Sequence, residues 1–180
     1  MNYNGLLLTL PKEIKLFLAI FIFVLSIGFY TGLFFVKQTG SHQPQGVEQT
    51  YLGNEDKPDA EVMKFKKSER EMLTIVHTHI LSMSMIFFLA GSVLLFAKLN
   101  KRLKFFLILE PFFSTLLTFG GLYLLWNGIL WMKYVVIFSG TLMTLTYTVS
   151  IGIILTQLYA KKKLTIHFDK FPTHLPALFV

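Results

Sequence analysis

From Leu16 to Val36 the chain runs for 21 residues without a charged side chain, with Lys12 and Lys15 before it and Lys37 after it. At the helical rise per residue such a stretch is roughly 31 Å long, the thickness of a bilayer's hydrocarbon layer. Three more apolar runs follow, over about 72–97, 105–126 and 131–159. Inside lipid the backbone must satisfy its own hydrogen bonds, so runs of this length read as spanning helices. The first is longer than a signal-peptide core and no Ala-x-Ala site follows it, so it is expected to stay as an anchor.

Short connections after the second and third runs predict antiparallel neighbours. The expected fold is therefore an all-α integral membrane protein, a single membrane domain over 1–180 with four spans in an up-down-up-down bundle. The absence of Cys from all 180 residues excludes disulfides, thiolate metal sites and cysteine nucleophiles.

Charge orients the bundle. Lys and Arg number two before the first run (Lys12, Lys15), four between Lys98 and Lys104, and four in the tail (Lys161, Lys162, Lys163, Lys170). The opposite side holds six in the loop from Lys37 to Arg70, diluted by six acidic residues, and one at Lys133. Positive charge beside helix ends marks the cytoplasmic side, so both termini are expected inside a bacterial cytoplasmic (inner) membrane. The net charge of +7 then reads as topology and contact with anionic lipid. No basic patch interleaved with stacking aromatics argues for nucleic acid. Trp126, Trp131 and Tyr134 fit an interfacial aromatic belt at the outer ends of the third and fourth spans.

Residues 37–70 form the one sizeable extracytoplasmic loop. Its first part, rich in Gly, Gln, Ser, Asn and Pro, reads as turns, and its second half after Pro58 is expected to be helical. Ser68 and Glu71 form S-x-x-E before an apolar run, a capping box that would start the second helix near Ser68 and carry it beyond the outer face. A continuous helix from Pro58 is the competing reading. At the other end, 160–180 is an apolar cytoplasmic tail, broken by Pro172 and Pro176, that should dock on lipid, the bundle or another subunit.

Two imidazoles and two thioethers lie close together at His77, His79, Met83 and Met85, the donor types that bind haem iron or soft copper. At about 100° per residue His79 and Met83 share a helix face, while His77 points nearly opposite, so the four cannot converge on one ion. Haem b or copper would need His79, with His77 or Met83 as a further candidate and another ligand from elsewhere. The plainer reading places the histidines at the outer interface, bonded to water or headgroups.

Glu110 is the one ionisable side chain well inside an apolar run, followed by Pro111, which cannot donate to the Leu107 carbonyl and should kink the helix. It could bind a cation, relay a proton, or accept hydrogen bonds from Thr156, Gln157 or Ser92 at similar depth. Some 20 Å along the membrane normal should separate it from the histidines. Thr141, Thr144 and Thr148 make a polar stripe on the fourth span, suited to interhelical hydrogen bonds or to lining a pathway. Gly28 and Gly32 are a candidate helix-packing face, and Gly120-Gly121 permit close backbone approach.

These features support a non-catalytic small integral membrane subunit or accessory protein of an inner-membrane complex, with membrane-protein partners or further copies of itself. A haem- or metal-binding membrane redox protein using His79 is the alternative. A small proton-linked transporter or channel using Glu110 is a third. An enzyme is the least expected class, since no nucleophile elbow, triad or metal-hydrolase pattern is present.

Overall fold

The computed structural model describes residues 3–55 and 62–160; the apolar tail from residue 161 onward lies outside them. Among the described residues there are five α-helices: α1 (Lys12–Gln38), α2 (Pro44–Leu52), α3 (Glu69–Leu95), α4 (Lys101–Trp126) and α5 (Met132–Tyr159). All but α2 are long and apolar enough to cross a membrane, and the described residues contain no strand. A short 3-10 turn, Leu6–Thr9, precedes α1.

Local chemistry sets the helix starts. The Ser68 hydroxyl accepts from the Glu71 amide while the Glu71 carboxylate accepts from the Ser68 amide, so the capping box forms and α3 begins at Glu69. At 27 residues it is about 40 Å long. Asn100 caps α4 by accepting from the Arg102 amide. Pro111 lies inside α4, which runs through it as one element.

The connection between α1 and α3 is expected to be helical after Pro58, but its described residues in that half, 62–68, form no helix. Its helix is α2, in the first half, with Pro44 in the first turn, where its missing N–H is no loss. Residues 62–68 pair back on the end of α2: the Lys67 amide donates to Tyr51 O, and Asn54, just past the helix, donates to Val62 O and accepts from the Lys64 amide. Gly46 and Gly53 make this possible. A Cβ on Gly46 would fall 1.8 Å from Gly40 O, and Gly53 has φ +87° with Lys64 and Lys66 backbone pressed against it.

This small cap closes one end of the bundle. Val47 and Met72 are buried with Phe119, Leu122, Leu125 and Val136, and Glu48 pairs with Lys133 at the start of α5. At the opposite end, the base, Leu7 is fully buried and the Gly5 and Leu7 amides both donate to Phe96 O. Gln157 reaches from α5 to bond both the amide and the carbonyl of Lys98. Between cap and base, α4 packs against α3 and α5, while α1 lies at the margin, joined through Phe29 against Phe87 and Tyr147.

Candidate functional site

A buried polar seam joins α4 to α5. Glu110, Ser114, Thr115 and Thr118 lie on one face of α4 and Ser139, Met143, Thr146 and Ser150 on the facing side of α5, every one of them buried. Near the cap end Thr118 and Ser139 share a hydrogen bond of 2.7 Å. Next, Thr115 donates to Pro111 O and approaches Met143 Sδ at 3.5 Å. Then comes Glu110: Ser114 donates to its Oε1 and Thr146 to its Oε2.

The carboxyl is thus held once within its own helix and once across to the next, about 13 Å along α4 from its base-end start. Among the described residues it joins no ion pair. The donors expected from depth alone are committed elsewhere: Gln157 to Lys98, Thr156 to Ile153 O and Ser92 to Phe88 O. Thr156 and Gln157 lie about 15 Å nearer the base than Thr146, so the expected register of α5 against α4 was displaced by about three turns.

The threonine stripe behaves differently from the seam. Thr141, Thr144 and Thr148 each donate to the carbonyl four residues back, and Thr148 alone reaches another helix, 2.8 Å from the Tyr30 hydroxyl of α1. The hydroxyls that do join α4 are one face round, at Ser139 and Thr146. On α4, Ser114 and Thr118 were missed, although their spacing of four and eight residues from Glu110 is the signal of a shared face.

His77 is exposed, whereas half-buried His79 stacks on Phe119 with ring centroids 4.7 Å apart. Its Nδ1 lies 2.7 Å from Ile75 O. A carbonyl can only accept, so Nδ1 carries the proton of that bond and Nε2 holds the lone pair of the neutral ring. Met83, one turn further along α3, is partly buried between the two apolar clusters. The Phe119 contact puts His79 nine residues from Glu110 along α4, about 13 Å rather than 20 Å, so the two remain separate centres. Among the described residues no group of three or more His, Asp or Glu side chains converges as a metal site.

Gly28 and Gly32 face away from the bundle, and a Cβ on either would meet nothing within 4 Å. Gly121 does serve close packing, with Val136 Cγ2 only 3.0 Å from where its Cβ would be. In the cap, burial pushes the Tyr51 phenol above its usual range.

A closed four-span bundle with a stitched internal seam defines an integral membrane protein in contact with lipid. The chain belongs to the Aq_1264_TM family, a transmembrane helical domain whose model matches residues 41–165, from just before α2 to past the end of α5. No curated protein and no solved structure matches it.

Proposed function

We propose that this protein is a non-catalytic integral membrane subunit, or accessory protein, of a membrane complex, and that α1 is the helix that meets its partner. The observation that carries this reading is unequal burial: 17% of the most apolar window of α1 is buried, against 50% for α4. Phe17, Phe23, Phe34 and Phe35 are all exposed along α1. Lipid tails match such side chains as well as a protein does, so bulk hydrophobicity selects no partner; small residues that admit a second backbone do. Gly28 and Gly32 provide that opening on the same helix, which also lies outside the residues the family model matches.

In this reading the base faces the cytoplasm of a bacterial cell, where Lys98, Lys101, Arg102 and Lys104 gather, and the α2 cap lies outside. The test is cross-linking in native membranes followed by purification in mild detergent. A stoichiometric partner, or a second copy, is expected, and Gly28→Leu with Gly32→Leu should release it without lowering the thermal stability of the bundle. A chain that stays alone, or an association indifferent to both leucines, overturns the reading.

One observation favours a second reading, a haem- or metal-binding redox protein. A ligating histidine usually donates its other ring N–H to a backbone carbonyl or carboxylate, and His79 does so to Ile75 O, leaving Nε2 for a metal with Met83 on the same face. A reducible Soret band or stoichiometric copper, lost in His79→Ala, would support it. A colourless, metal-free preparation from cells supplied with both would remove it.

A further inference from the structure

Glu110 is 8% exposed, and its two carboxyl oxygens face two different hydroxyls. An ionised carboxyl only accepts hydrogen bonds, whereas a protonated one must also donate. A site that holds both forms therefore needs at least one neighbour able to reverse its role. Thr146 is placed to do so. Its Oγ1 lies beside Glu110 Oε2 and also 3.0 Å from Leu142 O and 3.1 Å from Met143 O, two carbonyls that can take the hydroxyl proton instead.

We infer that Glu110 is a proton-binding site in the membrane interior and that Thr146 is the positioning hydroxyl that reverses as the proton comes and goes. In the charged state Ser114 donates to Oε1 and Thr146 to Oε2. When a proton arrives from water, an O–H bond forms at Oε2 and that new hydroxyl donates to Thr146 Oγ1. Thr146 then turns its own proton to Leu142 O. Release runs the same exchange backwards, and neither state leaves an oxygen of the carboxyl or of Thr146 unpaired.

The surroundings leave the proton with Glu110. From α5 the titratable neighbour is Tyr147, whose ring packs on Phe29 and Phe87. From α3, Phe87 and Gly91 flank this level through Phe112 and Ile108, and neither titrates. On α1, Tyr30 is bonded to Thr148, on the far side of α5 from the seam. On α4 itself Lys104 is nearer the base, its ammonium donating to Asn4 and to Leu95 O. α2 meets the bundle at the cap end, where Glu48 is paired with Lys133.

The test uses the full chain in native membranes, with two readouts. A hydrophobic carbodiimide reacts with a protonated carboxyl: the acid proton goes to a carbodiimide nitrogen, the carboxyl oxygen bonds its central carbon, and rearrangement to the nitrogen leaves a stable acylurea. Mass spectrometry should find this adduct on Glu110, less of it as pH rises, and none in Glu110→Gln. Infrared difference spectra of the purified protein should show a carboxylic-acid carbonyl band that titrates and is lost in the same variant. Thr146→Val should displace the midpoint of both titrations and Thr146→Ser restore it. A Glu110 carboxyl band that does not change with pH overturns the site, and a midpoint indifferent to Thr146→Val overturns the role of Thr146.

Discussion

Trp126 and Lys67 are joined by a single hydrogen bond, from the indole N–H to the Lys67 carbonyl at 2.8 Å. It ties the far end of α4 to the non-helical residues that lead into α3, and the Lys66 ammonium sits 5.1 Å from the centre of the same ring. Trp126→Phe keeps an aromatic ring there and removes the donor. The expected loss is about 1 kcal/mol, read as faster amide exchange across residues 62–68 while the α4–α5 seam keeps its protection.

Gly46 and Gly28 make opposite predictions for one substitution. In Gly46→Ala the methyl group would fall on the Gly40 carbonyl, so the cap must open or shift at a cost of about 1–3 kcal/mol. Limited proteolysis after Lys64, Lys66 and Lys67 should accelerate. Gly28→Ala meets open space and should leave the fold as stable as before.

At the start of α3, Ser68→Ala removes the acceptor for the Glu71 amide and half of the capping box. The cost should be about 1 kcal/mol, localised as faster exchange of the first amides of α3. Ser68→Asp should recover most of it.

The Thr118–Ser139 bond offers a direct measure of the seam. A double-mutant cycle of Thr118→Val and Ser139→Ala, with unfolding followed in detergent or bicelles, should return a coupling of about 0.6 kcal/mol. A coupling near zero would mean that this hydroxyl pair adds nothing to the packing around it.

Tyr51 gives the cap a pH limit. Its folded phenol titrates above the ordinary value of 10.0 because burial opposes the charged form. The stabilisation is therefore complete below that ordinary value and is lost as pH rises through the higher, folded one. Cap proteolysis should increase in strongly alkaline solution, and Tyr51→Phe should lessen that increase, loss of the Glu48–Lys133 pair accounting for the rest.

The four spans and the Ser68 cap were legible because length, charge and a local capping pattern are written in consecutive residues. The helix α2 was not. Its sequence, Pro44 to Leu52, is mostly polar and carries a glycine, and it is held by groups distant in the chain, with Val47 under the bundle and Glu48 on Lys133. The distance of Glu110 from Lys104 lies within one run of consecutive residues, whereas its partner Thr146 depends on the register of α5 against α4. The spacing of Thr141, Thr144 and Thr148 groups them on one face, but spacing cannot say which face turns inward.

The base of the bundle also imposes an order of events on synthesis. Asn4 receives hydrogen bonds from Leu99 and Lys104, and the Gly5 and Leu7 amides both donate to Phe96 O, partners some 89 to 100 residues further along the chain. The segment ahead of α1 therefore reaches the membrane early and must wait, its polar groups still wet and Leu7 uncovered, until α3 has crossed and the chain has turned back. Closing the base therefore follows the return of the chain after α3, because Phe96 presents the carbonyl to which both waiting amides bind.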